Sequence, residues 1–338
     1  MEPVTSGTGD DPAGRSSGDA LRPPVAGPAG PPAAVPARPT VTDPDGPAAD
    51  TTVRLRLDLA YDGTGFHGWA AQPGLRTVEG VLTDALSTLA RQPVHLTVAG
   101  RTDAGVHARH QVAHVDLPRA AYRGLRGHRS DGQDTAPQVV RRVNGLLTRG
   151  AGERDRCDVV VHSAREVTED FDARFSAVGR HYCYRLCDRT KERDPLRRHD
   201  VVWLPRGPLD LPAMESASRV LLGEHDFLSF CRPREGATTI RTLRRLDFSH
   251  ECGHVRVDVS ADAFCHSMVR SLVGACLEVG LGRREPGWIE GLLVACSRQS
   301  AAPVAPAHGL TLERVDYPPE DQWASRAREA ARRRDCCS

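Results

Sequence analysis

The sequence contains no apolar run that approaches the roughly 18–20 residues of a membrane-spanning helix. It also has almost no lysine, since Lys191 is the only lysine among 45 basic residues. The first residues, Met1-Glu2-Pro3, do not form a basic segment followed by an apolar one, so we expect no secretion signal. These absences predict a protein that is neither inserted in a membrane nor exported, and we expect it in the cytoplasm.

Cysteine and histidine are present, but not in patterns typical of metal sites. The ten cysteines are scattered through a long chain, which favours reduced thiols over a disulfide framework. Cys183 and Cys187 could share one face of a strand, but no second pair at zinc-like spacing accompanies them. His107, His110 and His114 would share a helical face, but a strand pattern around them predicts different elements. We therefore predict no metal site.

The net charge of +1 conceals an uneven distribution. Residues 1–52 hold seven acids and three arginines, a net charge of −4 that leaves +5 on the remainder. Arginine offers planar, bidentate contacts to phosphate, so an arginine-rich, mildly basic body is compatible with a nucleic-acid partner. A genome rich in GC would favour the same residue, so the composition alone does not decide between the two explanations.

The first 52 residues differ in composition from the rest of the chain. They are rich in Pro, Gly, Ala and Asp and show no apolar periodicity, so they cannot bury enough surface to offset the entropy of ordering. We predict a disordered tail over residues 1–52. From Val53 to Leu59 apolar and polar residues alternate strictly, which indicates a half-buried strand and the start of the folded part.

Strands and helices alternate in both halves of the remaining chain. In the first half, the spacing predicts a helix from Thr77, strands at 94–98 and 111–117, a polar insertion at 121–136, a helix at 137–147 and a strand at 158–162. In the second half, it predicts a strand at 180–186, a helix capped by Asp210, a hairpin over 243–259, a helix that contains Val269, a helix at 288–296 and a strand at 309–317. This layout predicts an α+β fold with a mixed or antiparallel sheet.

The stretch Ala99–His107 places Arg101, Thr102 and Asp103 between two glycines at the end of a predicted strand. Glycine lets the backbone turn sharply or approach a ligand, and loops on a rigid strand often carry catalytic groups. An Asp beside Gly is also a common turn former, so local chemistry alone leaves a purely structural turn open. The aromatic loop Tyr61–Trp69 could stack bases or fill an edge of the sheet.

Six short motifs follow one another in order over residues 53–318. They are Tyr61-Asp62-Gly63 with Gly68-Trp69; Gly100-Arg101-Thr102-Asp103-Ala104-Gly105-Val106-His107; Phe171 with Ala173-Arg174-Phe175-Ser176-Ala177; Arg180, Tyr182 and Tyr184; Phe264, His266 and Met268-Val269-Arg270; and Gly309-Leu310 with Leu312, Val315 and Tyr317-Pro318. Together they resemble the TruA family of tRNA pseudouridine synthases, and the eight-residue motif around Asp103 is the most specific. Ser267 departs from the pattern, because many members have His or an aromatic residue there.

The resemblance implies isomerisation of uridine to pseudouridine at positions 38 to 40 of the tRNA anticodon stem-loop, without a cofactor or catalytic metal. It also implies a homodimer whose two subunits together hold one tRNA. The implied fold has two related α/β halves that share a continuous mixed, largely antiparallel sheet, with helices on one side and a central cleft. We accordingly expect a half with the catalytic loop at 53–162, a second half at 163–318 and a C-terminal tail at 319–338.

By the same resemblance, Asp103 matches the catalytic aspartate of the family. Tyr182 matches the tyrosine that packs on the target base, and Arg270 matches the arginine that pairs with the aspartate. Arg101 matches the arginine that helps to hold the base outside the helix. Supporting roles are expected for three residues close to Arg270, which are Phe264, His266 and Val269.

Two functions of other classes remain open. A non-catalytic RNA-binding protein on this scaffold predicts the loss of Asp103 or Arg270, and both are present. A hydrolase with paired carboxylates, as in glycosidases, needs a second acid, and none accompanies Asp103 within its motif. In a synthase, Asp103 could act as a nucleophile on the sugar or the base, or as a general base at the sugar.

Overall fold

The computed structural model describes residues 52–125, 135–150, 157–233, 238–300 and 302–335. The strands are β1 (Thr52–Tyr61), β2 (Leu96–Val98), β3 (His107–Pro118), β4 (Val159–Val167), β5 (Gly179–Cys187), β6 (Val202–Trp203), β7 (Gly223–Asp226), β8 (Ile240–Glu251), β9 (His254–Ala261) and β10 (Leu310–Asp316). The α-helices are α1 (Val78–Ala90), α2 (Arg119–Arg123), α3 (Ala136–Gly150), α4 (Leu211–Ser218), α5 (Met268–Gly280), α6 (Gly287–Ala295) and α7 (Trp323–Asp335). Within these ranges, no helix has both the length and the apolar character needed to cross a membrane.

Local sequence patterns account for most of these elements. In β1, the side chains of Leu55, Leu57 and Leu59 are fully buried, and the charged residues between them remain partly exposed. The alternation therefore divides the strand into a core face and a polar face. Helix α1 begins where Thr77 caps it, because the Thr77 hydroxyl accepts a hydrogen bond from the backbone N–H of Gly80.

All ten strands belong to one sheet, whose main path runs β4-β1-β3-β10-β5-β9-β8-β7, with β2 beside β3 and β6 beside β5. Seven of the nine pairings between the described strands are antiparallel, and the β10–β3 and β5–β6 pairings are parallel. The predicted α+β fold with a continuous mixed, largely antiparallel sheet is therefore confirmed. The C-terminal strand β10 lies between β3 and β5 and joins the two ends of the sheet.

The structure differs from the sequence-based expectations in several segments. The expected boundary between residues 162 and 163 falls inside β4. Residues 121–136 were expected as a polar insertion, but α2 reaches Arg123 and buries Tyr122, and residues 126–134 lie outside the described ranges. The expected C-terminal tail contains α7, whose first residue, Trp323, is buried. Tyr122 anchors α2 and Trp323 anchors α7, each as a single buried aromatic side chain. Hydrophobic periodicity requires several apolar residues, so it does not reveal an element that one side chain holds in place. Almost all of the predicted N-terminal tail, residues 1–51, also lies outside the described ranges.

Candidate active site

The loop at residues 99–106 connects β2 to β3 and carries Asp103. Its backbone is bound to the preceding aromatic loop, because the N–H of Trp69 donates a hydrogen bond to the carbonyl of Thr102 at 3.0 Å. Gly68 makes this close approach possible. Its φ is +89°, and a Cβ at this position would lie 2.8 Å from the Thr102 carbonyl oxygen. The two loops therefore fix each other immediately beside Asp103.

A buried hydrogen-bond network also holds the loop at residues 99–106 in place. The hydroxyls of Tyr61 and Thr102 are 2.8 Å apart, and the Gln111 amide donates to the Tyr61 oxygen at 3.2 Å and to the Gly100 carbonyl at 2.9 Å. Burial raises the pKa of Tyr61 to about 12, although its hydrogen bonds to Thr102 and Gln111 oppose the rise. The phenol thus stays neutral and holds the residue next to Asp103 in place.

The aromatic loop Tyr61–Trp69 places its aromatic side chains in the hydrophobic core. Tyr61, Phe66 and Trp69 are all buried, and Trp69 is completely inaccessible to solvent. The Arg76 guanidinium covers the Phe66 ring at 4.0 Å from its centroid. Of the two interpretations given above for this loop, the structure favours filling of the sheet over stacking of bases.

The Asp103 carboxylate lies against a segment more than 160 residues further along the chain. Oδ2 of Asp103 accepts hydrogen bonds from Oγ of Ser267 at 2.9 Å and from Nη1 of Arg270 at 3.0 Å. Oδ1 lies 3.2 Å from Nε2 of His266. The Arg270 guanidinium is itself fixed, since its Nε donates to the Ala305 carbonyl at 2.7 Å. The Asp103 side chain remains 22% exposed, so a substrate can still reach it.

The start of α5 explains how these groups converge. Ser267 precedes the helix in the left-handed region, with a φ of 62°, and Arg270 lies one helical turn further on. The backbone before Ser267 is held by Arg232, whose N–H donates to the His266 carbonyl at 3.2 Å. Because a helix N-terminus carries partial positive charge, the start of α5 also favours the negative charge on Asp103.

Tyr182 lies on β5 and is 9% exposed. Its ring meets Phe264 edge to face, with centroids 5.2 Å apart and an interplanar angle of 87°. Burial is the main cause that raises the pKa of the Tyr182 phenol. Tyr184, two residues further on, is fully buried, and its hydroxyl donates to the Pro306 carbonyl at 2.8 Å.

Arg180 joins three segments around the site. Its Nη2 donates to the carbonyls of Ala99 at 2.9 Å and Arg174 at 3.1 Å, and its Nη1 donates to the carbonyl of Asp262 at 2.7 Å. Burial lowers the pKa of Arg180 from its usual value of 12.5. Arg180 thereby connects the start of the loop that carries Asp103 to the loop at 171–177 and to the end of β9.

The other predicted site residues occupy different environments. Arg101 is exposed and makes no hydrogen bond or ion pair with any residue in the described ranges, so its guanidinium is free to meet a ligand. Val269 is 4% exposed and belongs to the hydrophobic core. Phe264 is partly buried and packs against Tyr182. Val269 therefore supports the site only through packing, whereas Phe264 contacts one of its predicted residues.

The three histidines considered above all lie on β3, so the expectation that they occupy different elements is wrong. The His107 ring contacts the backbone of Gly63 and the carbonyls of His199 and His308. His110 faces Asp58, and His114 accepts from the N–H of Ala173, so their rings serve separate partners. Among the described residues, no three His, Cys, Asp or Glu side chains are grouped so as to hold a metal ion.

No sequence pattern assigns a role to Ser267 or Arg180. A hydroxyl at the start of a helix signals a cap, but the left-handed backbone that aims Ser267 at Asp103 depends on tertiary packing. Arg180 carries a clearer signal, because an arginine at the start of a strand that buries Tyr182 and Tyr184 predicts a guanidinium with internal partners.

Comparison with known proteins identifies similar sequences. A family model described as tRNA pseudouridine synthase matches residues 217–318. The chain is 53% identical over 282 residues to a tRNA pseudouridine synthase A of Frankia casuarinae, a match that covers 82% of this chain and 94% of that protein. Proteins of the same name from Leifsonia xyli subsp. xyli and Cutibacterium acnes are 50% and 51% identical. Both matches cover 83% of this chain, with 97% and 95% of the respective relatives.

Proposed function

This chain belongs to the tRNA pseudouridine synthase A family, and we propose that it converts uridine to pseudouridine at positions 38 to 40 of the tRNA anticodon stem-loop. The observation that carries the proposal is the partly exposed Asp103 carboxylate, which is bound by Arg270 and Ser267. A structural turn would need neither the long-range cation nor the exposure. A carboxylate that accepts hydrogen bonds from a guanidinium and a hydroxyl is held in a fixed orientation towards a substrate.

The proposed reaction moves one glycosidic bond within a nucleotide. The bond from N1 of uracil to C1′ of ribose breaks, the base rotates, and C5 bonds to C1′. C5 loses a proton and N1 gains one, so substrate and product are isomers. Asp103 would act as nucleophile at the sugar or the base, or as general base at the sugar. In each route the ionised carboxylate reacts, and Arg270 and Ser267 orient it.

The remaining residues suit a base that leaves its stack. Unstacking costs a few kcal/mol, which new contacts in the protein must offset. Tyr182 and Phe264 form an aromatic corner against which a uracil can pack, and Phe264 lies two residues before His266, whose ring is 3.2 Å from Asp103. Arg101 has an exposed guanidinium on the same loop as Asp103, suited to the phosphate or to the space the base has left.

The assembly and location follow from the family resemblance. We propose a cytoplasmic homodimer whose subunits together bind one tRNA, each with an N-terminal half that carries Asp103 and a C-terminal half. Sedimentation equilibrium should give twice the chain mass of 36.7 kDa. A monomer at the concentrations used for activity measurements would contradict the proposed dimer and leave the proposed chemistry in place.

Unmodified tRNA transcripts test the activity directly. After incubation with the protein, pseudouridine is mapped at nucleotide resolution, and we expect it at positions 38 to 40. Asp103→Asn should abolish product formation and leave tRNA affinity nearly unchanged, because the amide keeps the shape of the side chain and loses its charge. Arg270→Ala should remain folded and be very slow.

The rival functions give different results in the same experiment. A non-catalytic RNA-binding protein would retain the transcript and form no pseudouridine. A hydrolase would release free uracil and leave an abasic site. Wild-type turnover by the Asp103→Asn variant would show that another group carries the reaction, and would overturn the role given to Asp103.

A further inference from the structure

Helix α7 contains more arginines than any other element of the described chain, and the proposed chemistry does not use it. It begins at Trp323, after residue 318 where the match to the family model ends. Its sequence contains five arginines and two acids, which are Arg326, Arg328, Arg332, Arg333 and Arg334 with Glu329 and Asp335. At 1.5 Å per residue, its 13 residues extend about 20 Å.

The first turn of α7 is firmly attached to the body of the protein. Trp323 is 2% exposed, and its ring lies 4.8 Å from that of Phe171 in an edge-to-face arrangement. Its indole N–H donates to the Pro318 carbonyl at 3.0 Å, and its own carbonyl accepts from the Ser176 hydroxyl at 3.4 Å. The direction of the helix is therefore set by the loop at 171–177.

That loop connects α7 to the candidate active site. Arg174 in the loop offers its carbonyl to Arg180, and Arg180 also binds the carbonyl of Ala99 at the start of the catalytic loop. After burial, which is the main cause, the positive charge of Arg326 contributes to the lowered pKa of Arg180. The first turn of α7 is thus linked through the loop at 171–177 and Arg180 to the segment that carries Asp103.

The arginines of α7 exceed the acids that could neutralise them. Arg326 pairs with Glu329 at 3.1 Å, and over the whole helix the sequence has five arginines and two acids, a net charge of +3. Arg328 is exposed, and its Nε donates to the Ala324 carbonyl one turn earlier. A helix with a net positive charge that is rich in guanidinium groups attracts anionic groups such as the phosphates of a nucleic-acid backbone.

We propose that α7 is an RNA-binding arm, which contacts backbone phosphates of the tRNA while the target uridine occupies the site at Asp103. This proposal rests on tRNA as the substrate. In this proposal, α7 does not contact the reacting atoms. Its contribution is to affinity and to the orientation of the tRNA, through phosphates that carry no sequence information.

The test removes charge and keeps the anchor. A variant with R328Q, R332Q, R333Q and R334Q retains Trp323 and Arg326, so we expect its thermal unfolding to match the wild type. Its KM for tRNA should rise about tenfold at physiological salt, with kcat nearly unchanged. The slope of log affinity against log salt should become shallower by about 3, since each lost phosphate contact contributes roughly 0.7–0.9.

Two matched controls separate charge at α7 from charge in general. Replacing the same four arginines by lysine keeps the charge, and should restore most of the affinity. Replacing Arg198, Arg219, Arg283 and Arg284 by glutamine removes four charges elsewhere, two of them just beyond the C-terminal end of α5. This variant should bind tRNA as the wild type does.

An unchanged KM and salt slope in the α7 variant would overturn the proposal, as would an equal loss in the distant control. Filter binding of an unmodified transcript measures the contribution of α7 to RNA affinity independently of catalysis. If the wild type binds the transcript and forms no pseudouridine, the proposed function fails, and the binding comparison still decides whether α7 contacts RNA. A loss of kcat with unchanged affinity would also contradict the role of α7.

Discussion

The two donors on Oδ2 of Asp103 belong to residues of different chemistry. Arg270 supplies a cation, and Ser267 supplies a hydroxyl from a strained left-handed backbone. Strain of this kind costs of order 1–3 kcal/mol and persists only when the surroundings determine it. Here the surroundings are the start of α5 and the pairing between Arg232 and His266. The strained backbone at Ser267 therefore coincides with the hydrogen bond that orients the Asp103 carboxylate.

We predict that Ser267→Ala lowers kcat by about tenfold and changes KM little, because a hydrogen bond to a charged group is worth about 1.5–3 kcal/mol. Ser267→Gly should lose the same activity and unfold at a higher temperature than the alanine variant, since glycine tolerates positive φ. Single-turnover kinetics and calorimetry measure both quantities. Ser271→Ala is the control, because its buried hydroxyl has no partner in the described residues. A wild-type kcat in Ser267→Ala would contradict the orienting role.

The two tyrosines of β5 should also behave differently. We predict that Tyr182→Leu lowers the rate of pseudouridine formation much more than the stability of the protein, because Tyr182 packs against Phe264, two residues before the His266 that contacts Asp103. Tyr184→Leu should destabilise the protein by about 2–4 kcal/mol through a cavity and an unsatisfied Pro306 carbonyl, with a near-normal rate in the folded fraction. Urea unfolding and single-turnover rates separate the two effects. Equal loss of rate at equal stability would contradict the assignment.

At the scale of elements, the sequence predicts those helices and strands whose pattern lies within a few neighbouring residues. The alternation in β1, the Thr77 cap of α1 and the Asp210 cap of α4 each lie within a few residues, and the structure has each element. The left-handed Ser267 and the burial of Trp69 depend on contacts with distant segments, so no local pattern contains them. The pairing of Asp103 with Arg270 was reached only through the family resemblance, because 166 residues separate them.

Strands β1, β3 and β4 are joined on their polar face by Asp58. Its Oδ2 accepts from Ser163 at 2.8 Å, and its Oδ1 accepts from Arg56 at 2.8 Å and lies 3.1 Å from Nε2 of His110. Burial by itself raises the pKa of Asp58, but the hydrogen bonds from His110, Arg56 and Ser163 outweigh it and lower the pKa from 3.8 to about 2. The charged carboxylate therefore stabilises the folded sheet.

The sign of that shift predicts the effect of acid. A carboxyl with a folded pKa below its unfolded value adds stability above the unfolded pKa, and this stability is lost as pH falls through the folded pKa. A shift from 3.8 to about 2 corresponds to about 2 kcal/mol. Asp58→Asn should therefore lower the free energy of unfolding by about 2 kcal/mol at pH 6, and this difference should shrink between pH 4 and pH 2. Urea titrations across this range measure the difference in the free energy of unfolding. A difference that stays constant with pH would contradict the stabilising role of the Asp58 charge.

At the scale of the whole molecule, β10 decides whether the sheet is continuous. It pairs in parallel with β3 through Thr311 and Leu312, and in antiparallel fashion with β5 along most of its length. No other pairing among the described strands joins the strands before residue 170 to those after it. The two proposed halves therefore share one strand and cannot separate without breaking the sheet.

We predict that a chain ending at Gly309 does not fold, whereas a chain ending at residue 330, which keeps β10 and Trp323, unfolds in one cooperative transition close to that of the full chain. The reason is that the first truncation exposes apolar edges of β3 and β5 that β10 covers. Circular dichroism and size-exclusion chromatography distinguish the two. A folded, soluble product of the first truncation would contradict the central role of β10.

The position of β10 also determines when the enzyme becomes active during its synthesis. A chain emerging from the ribosome presents β1, β3 and the catalytic loop early and Arg270 later, and β10 emerges only near the end. Until then β3 has an open edge, and the parts of the molecule that carry Asp103 and Arg270 lack the strand that joins them. A nascent chain would thus be unable to modify RNA, and activity would appear only with nearly complete translation.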